Sequence, residues 1–224
     1  MKNIVLINAS PKINEPSVSE YLVDAVGSHI DEATANKYSI SVRSSITKRK
    51  TQEDFDAISK ADAVIITFPL YVFCLPGMLM RFLEDYQQHY IESGRNASHA
   101  KVYAIVNCGF PEPGINLEAV RVIRSFCQHV NMNFRFGILI GGGGMLLGTR
   151  DAPFMKKTMQ NLHDAFATIV QDIENHDLKN MDNISITMNF PRRIYLFMGN
   201  RGWFAQARKN GLKKKELYKR PYQS

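Results

Sequence analysis

The run Ile4-Val5-Leu6-Ile7 and the run Ala63-Val64-Ile65-Ile66 leave no polar position between their apolar residues. A strand with one wet face alternates apolar and polar. An unbroken run instead fits a strand covered on both faces, as in a parallel sheet flanked by helices. Three further strand-like segments accompany them, a modest one among them at Tyr38–Arg43, so strands are expected at Asn3–Ala9, Tyr38–Arg43, Ala63–Phe68, Val102–Asn107 and Phe134–Ile140. Between them the apolar spacing turns helical. Ser17–Ile30 carries Leu22, Ala25, Val26 and Ile30 on one face, and Gly77–Tyr90 carries Leu79, Phe82, Leu83 and Tyr86. Shorter helices are expected at Glu53–Lys60, after a polar turn at Ser44–Lys50, and at Leu117–Val130. Phe154–Glu174 is the clearest helix, with Met155, Met159, Leu162, Phe166, Ile169 and Ile173 at helical spacing. Alternating units of this kind predict an α/β fold, a three-layer sandwich around a five-stranded parallel sheet of order 2-1-3-4-5. Right-handed crossovers in that order gather the loops after strands 1, 3 and 4 at the carboxyl ends of the strands, where open α/β sheets bind ligands.

The 224 residues suffice for one domain, expected at 1–178, followed by an extension at 179–224. The formal charge of +7 is unevenly spread. From Pro191 onward there are ten Lys and Arg against Glu216 alone, whereas the preceding 18 basic and 20 acidic residues leave that body near −2. The high pI therefore belongs to the extension and says little about what the main site binds. Cys74, Cys108 and Cys127 are scattered and form no CxxC pair, which fits reduced thiols in a cytoplasmic protein. The apolar run at the N-terminus is too short for a signal-peptide core, no stretch approaches a membrane span, and the six His show no metal-binding spacing.

Chemistry is expected in three loops. The first, Asn8-Ala9-Ser10-Pro11-Lys12-Ile13-Asn14-Glu15-Pro16-Ser17-Val18-Ser19, opens into a helix. Hydroxyls and free amides at a helix N-terminus make an anion site, and Ser10, Ser17, Ser19 and Lys12 could serve one. A plain N-cap at Ser17 would account for one of these serines without any ligand. The loop holds no GxGxxG, no GxxxxGK[ST], no acidic pair and no cysteine, which argues against dinucleotide, triphosphate, phospho-acceptor and thiol-phosphatase chemistry. The second loop, Pro69-Leu70-Tyr71-Val72-Phe73-Cys74-Leu75-Pro76-Gly77, sets two aromatics and two prolines at the mouth of the sheet. The third, Asn107-Cys108-Gly109-Phe110-Pro111-Glu112-Pro113-Gly114, pairs a small turn with an aromatic, and its glycine permits close approach of a planar ring.

Ser10-Pro11-Lys12, Thr67-Phe68-Pro69-Leu70-Tyr71 and the spacing Pro69-x-Tyr71-x4-Pro76-Gly77 resemble the flavodoxin-like NAD(P)H-dependent oxidoreductases, which include FMN reductases and quinone reductases. Ala61-Asp62-Ala63 and Phe82-Leu83-Glu84 fit the same pattern, and the likeness spans about Met1 to Ile140. The resemblance implies non-covalent FMN, with NADPH or NADH as co-substrate. It implies that Ser10, Lys12, Ser17, Val18 and Ser19 hold the phosphate, and that Pro69, Leu70, Tyr71, Val72 and Phe73 border the isoalloxazine ring. Asn107, Cys108, Gly109 and Phe110 would border its pyrimidine end. Hydride would pass from the nicotinamide to flavin N5 and on to a quinone, a nitro or azo aromatic, a flavin or a ferric chelate. No side chain is singled out as catalytic acid or base, because the cofactor carries the chemistry. Relatives are commonly homodimers. The chain departs from the pattern in places. Ile13, Asn14, Glu15 and Pro16 replace the usual glycine and asparagine, and Glu15 suits a phosphate site only if it points away. Met80 stands where a lysine is common, and Ser44–Lys60 lacks the cysteines of relatives that carry an iron–sulfur insert.

Two segments keep alternative readings. The run Gly141-Gly142-Gly143-Gly144 suits either the rim of the site or a surface linker, and its place after a strand favours the rim. The extension interleaves Arg and Lys with Tyr195, Phe197 and Trp203. Packing on its own domain or on a partner subunit is favoured, peripheral contact with an anionic membrane is open, and nucleic acid is disfavoured. Two functional rivals to the oxidoreductase are a one-electron flavodoxin-type carrier and a non-enzymatic binding protein that works through its basic tail.

Overall fold

The computed structural model describes residues 1–44, 52–94, 99–175 and 181–220, so the turn expected at Ser44–Lys50 lies largely outside the described residues. The chain divides into two compact units, Met1–Met188 and Asn189–Ser224.

In the first unit the elements follow one another as β1 (Asn3–Asn8), α1 (Val18–Thr34), β2 (Ser39–Ser44), α2 (Gln52–Ser59), β3 (Ala63–Pro69), α3 (Gly77–Glu92) and β4 (Lys101–Asn107). They continue with α4 (Leu117–His129), β5 (Asn133–Ile140), the single turn α5 (Leu146–Thr149), α6 (Lys156–Glu174) and β6 (Ile184–Ile186). All strand pairs are parallel, in the order β2-β1-β3-β4-β5-β6. The uninterrupted apolar runs are explained by burial on both sheet faces. Val5, Ile7, Val64, Ile66, Val102 and Val106 pack against Phe55 and Ile58 of α2, Leu79 and Phe82 of α3, and Val120 and Ile123 of α4. Their alternate neighbours, including Ile4, Leu6 and Tyr103, face the layer of α1 and α6. Gly27 lets α1 settle close to the sheet, since a Cβ there would stand 3.1 Å from the Leu6 side chain.

The expected order holds for five strands, and the sheet has one strand more. Ile184, Ser185 and Ile186 pair with Ile138, Leu139 and Ile140, while Asn183 Oδ1 accepts from the Gly137 amide at 2.7 Å. The first unit therefore runs to Met188, beyond the boundary expected at residue 178. Ile184, Ile186 and Met188 alternate with polar residues, the period of a strand, and Ile186 and Met188 are buried. On α1 the buried stripe contains Val23, with Ala25 at its flank. Ahead of α6, Pro153–Met155 forms a 3-10 turn that leaves Phe154 exposed.

At the amino end of the strands a polar cluster pins the last turns of α6 to the sheet. Arg135 donates to both carboxylate oxygens of buried Asp172, each at 2.8 Å, and the Tyr103 hydroxyl donates to Oδ2 at 2.7 Å. The ammonium groups of Lys2 and Lys101 donate to the carbonyls of Ile173 and Asp172, where the helix dipole favours cations.

Candidate functional site

The opposite end of the sheet holds the three loops. Each is fixed by backbone hydrogen bonds between neighbours. The Ala9 amide donates to Thr67 O at 2.9 Å, the Leu70 amide to Asn107 O at 2.8 Å, and the Cys108 amide to Ile140 O at 3.0 Å. Buried Asn107 locks the junction further. Its Nδ2 donates to Ser19 Oγ at 3.1 Å and to Phe68 O at 3.2 Å, tying β3, β4 and α1 together.

A cleft of about 320 Å³ opens between these loops. Of the expected phosphate residues, Ser10, Lys12, Ser17, Val18 and Ser19 all line it. So do Pro69, Leu70 and Tyr71 from the second loop, and Asn107, Cys108 and Gly109 from the third. Val72, Phe73 and Phe110 do not. The amides of Tyr71 and Cys74 donate to each other's carbonyls at 3.0 and 2.9 Å, closing a two-residue turn in which Val72 and Phe73 have φ of 48° and 61°. That turn leaves Val72 93% exposed and lays Phe73 on Phe110, with ring centres 5.9 Å apart and planes 17° from parallel. Neither Val nor Phe favours positive φ, so nothing in the pair Val72-Phe73 announces the turn.

Gly144 and Leu147 complete the wall, so the glycine run reaches the cleft through Gly144. Its members differ in role. A Cβ on Gly141 would lie 2.3 Å from the Pro111 carbonyl oxygen and one on Gly143 would lie 2.9 Å from the Asn107 Cβ, so both are needed for close packing against the third loop. Gly144 and Gly109 have open space where a side chain would stand. Leu147 was not foreseen, although its place just beyond the glycine run was a usable signal.

The first loop ends in an ordinary N-cap as well as at the cleft. Ser17 is extended (φ −125°, ψ 150°), and its Oγ accepts from the Glu20 amide at 3.0 Å. The Val18 and Ser19 amides belong to the first turn of α1, where backbone donors lack intrahelical acceptors and the dipole attracts anions. Ser10 Oγ accepts from the Lys12 amide at 3.3 Å. The Lys12 ammonium stands 3.5 Å from Glu15 Oε2, so Glu15 turns toward the loop's one cation. Glu15 and Glu20 border a second cleft of about 430 Å³ that shares Ser10, Lys12 and Ser17 with the first. Lys12, Tyr71 and Cys108 are the titratable side chains of the main wall, and burial pushes the Cys108 thiol up, keeping it protonated. Among the described residues no group of His, Cys, Asp and Glu could hold a metal ion.

No family model matches the chain, and no curated protein matches it. Solved structures do. An NADPH-quinone reductase from P. pentosaceus is 14% identical, with TM-score 0.56, over 79% of this chain and 100% of its own. An NADH:FMN oxidoreductase in its apo form is 15% identical, with TM-score 0.58, over 87% of this chain and 98% of its own. General stress protein 14 from Treponema denticola, in complex with FMN, is 16% identical, with TM-score 0.52, over 78% of this chain and 100% of its own. At such identities the likeness is one of fold. The chain has the flavodoxin-like fold, here with a sixth parallel strand and a basic extension.

Proposed function

We propose that the protein is an FMN-dependent NAD(P)H oxidoreductase whose final acceptor is a small molecule. The observation that carries this reading is the convergence of eleven of the fourteen expected residues on one cleft beside a helix N-terminus. The residues fit the group. Ser10, Ser17 and Ser19 supply hydroxyls and Val18 and Ser19 supply first-turn amides for a phosphate, with Lys12 beside them. Pro69, Leu70, Tyr71 and Gly109 offer a largely apolar wall for a planar ring, and the open space at Gly109 and Gly144 leaves it room. When bound, FMN supplies the hydride-accepting and hydride-donating chemistry. The chain's own part is to hold the phosphate, orient the ring and shield it, while Asn107 keeps the three loops in register. Quinones, nitro or azo aromatics, flavins and ferric chelates are the acceptor classes of this reading, and a cytoplasmic homodimer is the form it takes. The solved structures of the same fold named above, a quinone reductase and an FMN oxidoreductase among them, support it.

The test is an absorbance spectrum of the purified protein before and after anaerobic addition of NADPH, then NADH. Flavin bands that bleach with a nicotinamide and return with a quinone are expected. A bound flavin that neither nicotinamide reduces would favour the one-electron carrier. A colourless protein that takes up no added FMN would overturn the reading and leave the non-enzymatic one.

A further inference from the structure

The second unit has a composition unlike the first. It consists of α7 (Arg192–Lys209) followed by a 3-10 turn at Lys214–Tyr218, and α7 itself buries only Ala207. Ile194, Leu196, Phe197 and Met198 are exposed, and Trp203 is 73% exposed. Ten Lys and Arg accompany these apolar side chains against the single Glu216. From this we infer that the Asn189–Ser224 unit docks the protein on an anionic phospholipid bilayer surface.

The arrangement of α7 selects that occupant. At 3.6 residues per turn, the five consecutive residues Ile194 to Met198 point to every side of the helix. The interface of an anionic bilayer takes the apolar side chains and rings of one side toward the acyl chains and accepts the long basic side chains of the rest, which snorkel to the headgroups. Arg192, Arg193 and Arg201 bracket the apolar run, and Arg208, Lys209, Lys213, Lys214 and Lys215 follow it, where anionic headgroups would meet them. Cations already lie over rings: Lys214 Nζ is 4.7 Å from the centre of Phe204, and Arg201 is 6.0 Å from that of Phe197. Aromatic rings and cations together are the side chains that settle at headgroup level. The unit lies on the bilayer and does not cross it, because no described helix is long and apolar enough to span a membrane. A nucleic acid would use the cations but would leave Ile194, Leu196 and Met198 without a role.

Trp203 is the only tryptophan in the chain, so fluorescence of the full-length protein excited at the red edge, where its nine Tyr do not absorb, reads this unit alone. Vesicles of phosphatidylglycerol mixed with phosphatidylcholine should shift its emission to the blue and carry the protein down on sedimentation, whereas phosphatidylcholine alone should do neither. Added salt should weaken the effect, and the triple variant K213A/K214A/K215A should bind about a hundredfold more weakly. Lys213, Lys214 and Lys215 are exposed, and circular dichroism of the full-length variant serves as the folding control. Several results would each overturn the proposal. These are no shift with anionic vesicles, a shift that grows with protein concentration in their absence, and a shift driven by an oligonucleotide but not by lipid.

Discussion

Glu15 is the residue whose position most alters the chemistry expected of the cleft. A carboxylate 3.5 Å from Lys12 partly cancels the positive charge that a phosphate would meet. Both side chains are well exposed, so solvent screens the pair and the effect is modest. Replacing the carboxylate by an amide, Glu15→Gln, should tighten FMN binding about two- to fivefold, while Lys12→Ala should weaken it by a similar factor. Quenching of FMN fluorescence on titration measures both, and unchanged affinity in the two variants would mean that the phosphate lies away from this pair. At this scale much of the site was legible. Ser10 and Ser17 stand out as hydroxyls leading into a helix and Ser19 as one in its first turn, although Ser17 also serves as the N-cap. Phe73 stands off the cleft because its direction depends on a positive-φ turn, and neither Val72 nor Phe73 is the Gly or Asn that signals such turns.

The elements that hold the sheet together depend on the cluster at the far end from the cleft. Burial pushes the Asp172 carboxyl up, but hydrogen bonds from Arg135 and Tyr103 outweigh that and hold it below the usual carboxylate range. Burial and the same hydrogen bond push the Tyr103 hydroxyl up, so it stays a donor. A carboxyl lowered in the folded state contributes stability above its unfolded value and loses it as pH falls through the folded one. Asp172→Asn should therefore cost about 3–5 kcal/mol at neutral pH, because buried Arg135 loses its bidentate partner. The gap to the unsubstituted protein should narrow as pH falls below about 4, where Asp172 of the unfolded chain takes up a proton, and narrow further until pH passes the lower value of the folded carboxyl. Urea midpoints of the two proteins at neutral and acid pH measure this, and a gap independent of pH would show that the charge of Asp172 is not what matters. This cluster was invisible in the sequence, since Tyr103, Arg135 and Asp172 meet only through the fold. Strand β6 was visible in principle. Its alternation is three residues long and follows the helix that completes a five-unit count, so a count by βα units stops one strand early.

Over the whole molecule, charge and apolar surface are divided between two units. The first is near neutral and buries its long apolar runs, while the second is strongly basic and leaves Phe197, Trp203 and Tyr218 exposed. The sequence showed the charge division directly, because charge is additive along a chain. It did not show where the domain ends, because that depends on which strand last joins the sheet. Since Met188 is buried and follows β6, a stop after Met188 keeps every element of the sandwich. Such a shortened chain should fold with the thermal midpoint of the full protein and the same flavin content. Its formal charge should turn slightly negative, so at neutral pH it should leave a cation exchanger that retains the full-length chain. A stop after residue 178 should behave differently. It removes Ile184 and Ile186, exposes the β5 edge and uncovers Ile138 and Ile140, so a lower midpoint and aggregation are expected. Thermal denaturation of the two shortened chains side by side makes the comparison. If the longer one also loses stability, the second unit contributes to holding the first together. If the shorter one loses none, β6 is dispensable to the sheet it extends.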